Sequence, residues 1–272
     1  RGLGDVYKRQ DVKLTPSDLT GDIHAVYEIN QGFKLVGNFG RGFRPPNIFD
    51  LATLGPRPGN RFNVVNPDLE PETVWSYDLG FKSETGNLEM EVFAFYLDYS
   101  DKITTVFTGE VTEDGRDIVR SENRNKVEIY GIEAGFYWAV TDDIRSYAIV
   151  NYTRGEEQGD SGPTFPADRI PPVNGKLGLE FIFNTDWRIE PYLLFASRQD
   201  RLSPRDVRDP RIDPMGTAGW GTLNLALDWQ ATTSLQLGLR LENLGDKAYR
   251  EHASGIDAPG RNIGLWANYS FP

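Results

Sequence analysis

Residues 235–242 alternate strictly between apolar and polar side chains. The apolar positions are Leu235, Leu237, Leu239 and Leu241, and the positions between them are Gln236, Gly238, Arg240 and Glu242. Successive side chains of a β-strand point to opposite faces, so this pattern predicts a strand with one apolar and one polar face. The apolar face could contact either a protein core or bilayer hydrocarbon, and the polar face either bulk water or the wet interior of a barrel.

The same period of two residues runs along most of the chain. It predicts about eleven strands, at 22–30, 32–44, 73–84, 88–107, 117–140, 144–156, 172–183, 187–199, 219–230, 234–250 and 260–271. The pattern leaves the register of 88–107 and 144–156 open. Most of these strands exceed ten residues, whereas strands of soluble proteins cluster near about five or six. Their length favours a membrane barrel over a soluble sandwich or a barrel with a dry interior.

The connections between the predicted strands alternate in length. The segments "NQG", "ETGN", "VTDD", "FNTD" and "QATTS" are tight, whereas others, such as 154–172 and 197–218, are long. In an up-and-down arrangement the short connections lie at one end and the long ones at the other. Outer-membrane barrels have short periplasmic turns and longer extracellular loops. The sequence therefore predicts an all-β, antiparallel transmembrane β-barrel.

Composition narrows the alternatives. None of the 272 residues belongs to an apolar run approaching the about 20 residues that a membrane-spanning helix needs. A net charge of −11 argues against a nucleic-acid partner, and the absence of cysteine removes thiolate metal sites and cysteine nucleophiles. The opening "RGLGDVYKRQ" resembles an adaptor-derived read-through, so residues 1–10 are interpreted as a non-native leader and 11–272 as natural sequence.

Several motifs in order along the chain resemble the TonB-dependent receptors of Gram-negative outer membranes. They are "GFRPPNIFDL" at 42–51, "NPDLEPETVWSYDLGFK" at 66–82, "KVEIYGIEAGFYW" at 126–138, "ADRIPP" at 167–172, and "LENLGDKAYREH" with "PGRNIGLWANYSF" between 241 and 271. The resemblance implies a 22-strand barrel filled by an N-terminal plug and energised by an inner-membrane TonB partner. This chain would be about the last eleven strands, the C-terminal half of that barrel, without the plug and the first half.

The resemblance also implies partners and a cargo. The partners are the outer-membrane bilayer, the receptor's own plug, the TonB complex, a small-molecule ligand, and the assembly machinery that reads the terminal aromatic residues Tyr269 and Phe271, after which Pro272 departs from the pattern. A ferric siderophore or related iron chelate is the leading cargo, with haem, cobalamin and oligosaccharides as alternatives. Haem is disfavoured because residues 47–65, between "FRPP" and "NPDL", contain no histidine. A passive porin is the alternative outside the family.

Two groups of candidate binding residues follow. The long loop after the predicted strand 187–199 contains Arg198, Arg201, Arg205, Arg208 and Arg211, whose guanidinium groups suit anionic ligands. Interleaved aspartates favour a self-paired loop instead. His252, expected at an extracellular strand end, is interpreted either as a ligand or metal contact or, preferentially, as a lone exposed residue.

The second group consists of polar positions on the predicted inner face. Asp78, Glu180, Asp228, Arg240 and Glu242 are expected to face the plug. The sequence offers no grouping of serine, histidine and acid and no metal-ligand spacing, so an enzyme or lectin on an antiparallel barrel is the weaker hypothesis and no cofactor is expected.

Overall fold

The computed structural model describes residues 17–51, 54–57, 60–159, 162–184 and 186–271. The interpreted leader at 1–10 and Pro272 lie outside the described residues. In chain order the strands are β1 (Gly21–Asn30), β2 (Phe33–Arg44), β3 (Gly55–Arg57), β4 (Arg61–Val64), β5 (Glu72–Thr85), β6 (Leu88–Val111), β7 (Asp117–Ala139), β8 (Ile144–Gln158), β9 (Phe165–Pro166), β10 (Asn174–Phe183), β11 (Trp187–Ala196), β12 (Trp220–Gln230), β13 (Leu235–Glu242) and β14 (Asn262–Tyr269). Two single-turn helices, α1 (Ile48–Leu51) and α2 (Pro204–Val207), lie in long loops. Among the described residues, no helix is long and apolar enough to cross a membrane.

The strands form one sheet in which sequence neighbours are also spatial neighbours. Its main path is β1-β2-β5-β6-β7-β8-β10-β11-β12-β13-β14, and every pair along that path is antiparallel. The prediction of eleven antiparallel strands is confirmed. The edge strands β1 and β14 both run toward the short turns, so closing this sheet with antiparallel pairs throughout requires an odd number of further strands.

The two faces of the sheet have opposite chemistry. On β12 the side chains of Thr222, Asn224 and Asp228 are buried, whereas Leu223 between them is 54% exposed. Leu79 and Leu265 are likewise 65% and 80% exposed, and each lies between less exposed neighbours in its strand. We call the face that carries Asp228 the polar face and the face that carries Leu223 the apolar face. A soluble protein buries its apolar face, so this inversion is the arrangement of a barrel with a wet interior and a lipid-facing exterior.

The connections separate by length as the sequence predicts. The short-turn end of the sheet holds residues 31–32, 86–87, 140–143, 184–186 and 231–234, and the long-loop end holds 45–71, 112–116, 159–173, 197–219 and 243–261. The segment 112–116 is shorter than expected because β6 and β7 extend beyond the rest of the sheet as a projecting hairpin. The loop 45–71 is tied to that hairpin, since its strand β4 pairs in parallel with β7.

The largest error in a predicted strand boundary is at the end of β13. The sequence predicts a strand over 234–250, but β13 ends at Glu242. Asn243 and Asp246 adopt left-handed backbone conformations, with φ of 50° and 51°, which a strand does not accommodate. The Asn243 Oδ1 accepts a hydrogen bond from the Lys247 backbone N–H at 2.8 Å, so this asparagine closes a local turn. Residues 243–250 therefore belong to a loop.

The tryptophans do not form a single interfacial belt. Trp187 and Trp229 stack on the apolar face near the short turns, with ring centroids 5.0 Å apart, as expected for an interfacial position. Trp220 and Trp266 instead share the parity of Asp228 and Arg240, so they lie on the polar face. The face on which each of these tryptophans lies follows from the parity of its position within the strand.

Candidate functional site

The polar face carries a cluster of charged side chains from four adjacent strands. The register places Arg188 of β11 opposite Asp228 of β12, and Arg240 of β13 opposite the neighbouring Ala226. Arg188 donates to Asp228 from Nε at 3.1 Å and from Nη2 at 2.8 Å, while Arg240 Nη1 donates at 2.9 Å. Arg188 also reaches Glu180 of β10, at 3.5 Å. Asp228, only 5% exposed, is thus held between two guanidinium groups.

A second group of polar-face side chains continues this cluster toward β8. Lys176 Nζ lies 2.7 Å from Glu190 Oε1, and the Tyr147 hydroxyl donates to the same oxygen. The ammonium also lies 4.2 Å from the Tyr192 ring centroid, within the range of a cation–π contact. We call Tyr147, Lys176, Glu180, Arg188, Glu190, Tyr192, Asp228 and Arg240 the wall network. Its three carboxylates and three cations balance, so it presents little net charge.

Glycine allows the aromatic members of the polar face to lie flat against the sheet. A Cβ at Gly178 would lie 2.3 Å from the Tyr147 ring, and one at Gly238 would lie 1.9 Å from Trp266 Nε1. Both rings cover the backbone of the neighbouring strand, and Arg240 lies 6.0 Å above the Trp266 ring. These two glycines are required for close approach of the rings.

The structure brings together only part of the predicted inner-face set. Glu180, Asp228 and Arg240 share the wall network, whereas Asp78 accepts a hydrogen bond from Asn38 at 2.7 Å, on strands β5 and β2. Glu242 accepts from Asn262 at 3.2 Å and is exposed at the long-loop end. Sequence reasoning missed Lys176, Arg188 and Glu190. Arg188 and Glu190 alternate along the chain with Trp187, Ile189 and Pro191. This alternation was the signal that could have assigned both charged residues to the polar face.

The arginines of the loop 197–219 are paired within the protein. Arg211 donates to Asp209 from Nη2 at 2.7 Å and from Nε at 2.8 Å, and Arg205 lies 3.2 Å from Asp168. The remaining three bind as follows: Arg201 lies 3.3 Å from Glu156, Arg198 lies 3.8 Å from Asp200, and Arg208 Nε donates to the Pro204 carbonyl at 2.8 Å. The Arg211 guanidinium, followed by that of Arg169, holds the pKa of Asp209 well below its usual range. This geometry favours the self-paired alternative for the loop in its present state.

A buried cap fixes this loop onto its neighbour. Asp206 and Ser203 form a capping box, in which the Asp206 backbone N–H donates to Ser203 Oγ at 2.9 Å and the Ser203 N–H donates to Asp206 Oδ2 at 3.2 Å. Arg169 of the loop 159–173 approaches Asp206 with Nε at 3.4 Å. Gln199 adds a hydrogen bond to the Ile170 carbonyl at 2.8 Å. Ala167 and Ile170 of the loop 159–173 pack against Val127 of β7. We call the loops 159–173 and 197–219 together the roof, because they cover the polar face at its long-loop end.

His252 differs from its expected setting. Because β13 ends at Glu242, the histidine lies within the loop 243–261 and not at a strand end. It is partly buried, and its Nδ1 lies 2.9 Å from Thr217 Oγ1. Burial lowers its pKa below 6.5. Nε2 is buried without a hydrogen-bond partner in the described ranges. The prediction from sequence that His252 is a lone exposed residue is therefore wrong, because its ring is partly buried.

The last described residues of the chain include two aromatic side chains. Tyr269 lies on the apolar face opposite Leu235, with its ring centroid 5.0 Å from that of Phe271 in an edge arrangement. Phe271 is 86% exposed.

In the part of the chain that the structure describes, no three His, Cys, Asp or Glu side chains gather closely enough to hold a metal ion.

The sequence also matches proteins of known family. It is 26% identical over 157 residues to "Iron-regulated outer membrane virulence protein" of Vibrio cholerae serotype O1, which covers 55% of this chain and 24% of that protein. It is 22% identical over 300 residues to "Probable TonB-dependent siderophore receptor PirA" of Acinetobacter baumannii, which covers 96% of this chain and 39% of that protein. The chain thus spans about a quarter to two fifths of the length of these relatives.

Solved structures share the fold. "Copper transporter OprC" superposes with a TM-score of 0.75 at 21% identity, over 93% of this chain and 39% of that one. The ferric enterobactin receptor PfeA of Pseudomonas aeruginosa, solved as a mutant, gives a TM-score of 0.72 at 16% identity, over 93% of this chain and 40% of that one. Residues 3–244 match the family described as "TonB dependent receptor-like, beta-barrel". This match covers most of the chain, which therefore belongs to the TonB-dependent receptor family and forms part of its β-barrel.

Proposed function

We propose that this chain is the C-terminal part of the barrel of an outer-membrane receptor that takes up a scarce nutrient from outside a Gram-negative cell. A ferric siderophore or related iron chelate is the proposed cargo, and an inner-membrane TonB partner is the proposed source of energy. The observation that carries the proposal is the inversion of the two faces: a buried polar face beneath a loop roof, and an exposed apolar face. This arrangement provides a wet passage through a lipid bilayer. The names of the curated relatives support iron as the cargo.

The wall network is the proposed contact for the receptor's own plug. Its balanced charges satisfy one another, so the wall needs no ion pair from the plug for its own stability. Asp78 and Glu242, which lie outside the network, are the proposed plug-facing positions with acceptor capacity remaining. Tyr269 and Phe271, exposed at the end of β14, are the proposed signal for the outer-membrane assembly machinery.

Ligand contacts are proposed for the roof. Arg205 is the most exposed of the paired loop arginines, with 70% of its side chain accessible, and Arg208 donates only to a backbone carbonyl in the bonds the structure shows. An anionic chelate can recruit these two guanidinium groups without breaking the buried cap at Asp206. Arg211 is the costlier contact because it would have to leave Asp209. His252 is a proposed contact reached only if the roof opens, because its ring is partly buried.

Binding of an iron chelate by the full-length receptor tests this proposal. We would fold the full-length gene product in detergent and measure binding of iron-labelled ferric enterobactin. The wild-type receptor is compared with Arg205→Gln/Arg208→Gln and with the matched control Arg116→Gln, a partly exposed arginine paired with Asp114 at the tip of the β6–β7 hairpin. We expect binding by the wild type and the control, and about tenfold weaker binding by the double variant. Equal binding by all three would refute the roof contact, and no binding by the wild type would refute ferric enterobactin as the cargo.

A passive porin is the second candidate. The exposed apolar face and the polar face suit a porin equally well, but the family match does not favour it. A porin would carry solutes without an energised partner, so dependence of uptake on TonB separates the two.

A further inference from the structure

Near the long-loop end, the apolar face changes chemistry over three neighbouring rows of side chains. The register across β5, β6, β7 and β8 aligns Leu79, Ala94, Ile132 and Tyr152 in one row. The next row toward the long loops holds Tyr77, Tyr96, Tyr130 and Arg154, and the row after that holds Trp75, Asp98, Glu128 and Glu156. Aliphatic, tyrosine and charged rows thus succeed one another within about 13 Å of strand. This order marks the change from hydrocarbon to headgroup along the outside of a membrane barrel.

A pocket interrupts the wall at this boundary. β8 continues to Gln158, but its partner β10 begins only at Asn174, after Pro171 and Pro172. Neither proline has an N–H to donate to a sheet, so the β8–β10 pairing stops at Asn151, and β8 pairs next with β9 at Glu156 and Glu157. The gap is a pocket of about 150 Å³ lined by Tyr152, Arg154, Pro172, Ser197, Arg198 and Arg201. We call it the rim pocket. Tyr152 and Arg154 place it in contact with the apolar face.

The rim pocket has an excess of hydrogen-bond donors. Arg154 Nη2 and Arg201 Nη2 lie 3.1 and 3.3 Å from the same oxygen, Oε1 of Glu156. Arg198 Nε lies 3.8 Å from Asp200. Three guanidinium groups therefore face two carboxylates, and each guanidinium has five N–H donors. The three arginine side chains remain 39%, 37% and 53% exposed, so they are accessible to a further anion.

We propose that the rim pocket binds the phosphate group of an anionic lipid in the leaflet that surrounds the long-loop end. Phosphate oxygens match the planar forks of Arg154 and Arg201, and the acyl chains would lie along the row that contains Tyr152 and Ile132. The continuity of the pocket with the apolar face favours a lipid over a phosphate free in solution. The inference rests on the proposed placement of the barrel in an outer membrane, but it requires neither an iron cargo nor TonB.

Lipid binding by the full-length receptor tests the proposal independently of cargo. The receptor is purified in a neutral detergent, and retention of diphosphorylated lipid A is measured by native mass spectrometry without any iron chelate present. The variants are Arg154→Gln/Arg201→Gln, Arg201→Gln alone, and Arg116→Gln as the control at the solvated hairpin tip. Folding of each is checked by the thermal transition of the barrel. The single variant keeps the test available if the double variant fails to fold, because Arg201 lies in a loop.

We expect the double variant to bind lipid A about tenfold more weakly than wild type, the single variant to lie between them, and the control to match wild type. Dephosphorylated lipid A should bind the wild type as weakly as diphosphorylated lipid A binds the double variant. Equal retention of lipid A by wild type and by Arg201→Gln or the double variant would overturn the proposal. Retention that does not depend on the lipid phosphate would also overturn it. Displacement of the lipid by millimolar inorganic phosphate would assign the pocket to a free anion instead. Failure of enterobactin binding with intact lipid binding would count against the proposed cargo alone.

Discussion

Replacing Asp228 with asparagine should destabilise the barrel strongly, because this carboxylate is the acceptor that Arg188 and Arg240 share in the wall network. It accepts three hydrogen bonds of 3.1 Å or less from Arg188 and Arg240. A hydrogen bond to a charged group contributes about 1.5 to 3 kcal/mol, and losing one partner of a buried ion pair costs about 3 to 5 kcal/mol. The side chains of Arg188 and Arg240 are 43% and 29% exposed, so water recovers part of that loss. We therefore expect Asp228→Asn to lower the free energy of unfolding by about 2 to 4 kcal/mol.

The assay is reversible guanidinium unfolding of the full-length receptor in detergent, followed by tryptophan fluorescence. Asp257→Asn is the matched control, because Asp257 forms an exposed pair with Arg250 and its loss should leave the free energy of unfolding unchanged. In a double-mutant cycle, Arg240→Gln should cost less in the Asp228→Asn background than in wild type. A change at Asp228 no larger than that of the control, or strict additivity with Arg240→Gln, would refute a stabilising wall network.

Three further predictions probe the faces and the roof. Gly178→Ala should destabilise the folded barrel by about 1 to 3 kcal/mol, because its Cβ would overlap a tyrosine ring, whereas Gly264→Ala should change the free energy of unfolding little, because the nearest atom lies at 3.7 Å. Ile132→Lys should impair insertion into liposomes at a cost of about 1 to 3 kcal/mol, because the lysine would lie in hydrocarbon between the bilayer midplane and the long-loop interface, whereas Glu133→Lys on the polar face of the same strand should insert normally. Equal insertion would contradict the lipid-facing assignment. Burial lowers the pKa of His252, so at this residue the folded protein binds fewer protons than the unfolded chain. The free energy of unfolding should therefore fall as the pH decreases below 6.5, and His252→Gln should reduce that dependence. An unchanged pH profile in the variant would refute a contribution from His252.

The strands and their faces could be predicted from the sequence because apolar and polar residues alternate within each strand, and this alternation assigns each side chain to a face. Leu223 and Asp228 differ in parity, and that local fact suffices to assign one to the apolar face and the other to the polar face. The same reasoning holds for the short turns, whose lengths are read directly from the spacing of the strands.

The wall network could not be predicted because it depends on register between strands. Arg188 and Asp228 are separated by 40 positions in sequence, and no local pattern states that they lie opposite each other. The end of β13 was missed for a related reason, since Asn243 closes its turn through contacts with Lys247 and with the Pro259 carbonyl of the following loop. The pairing of the loop arginines was left open because each carboxylate partner, such as Asp168 or Glu156, had to be brought near by the fold.

Uptake of an iron chelate by living cells tests the central proposal most directly. The full-length gene is expressed in a Gram-negative host that lacks its own receptor for ferric enterobactin, and accumulation of iron-labelled ferric enterobactin is measured with and without a functional TonB. We predict uptake that requires both the receptor and TonB. Receptor-dependent uptake that persists without TonB would contradict the account and assign the barrel to passive passage.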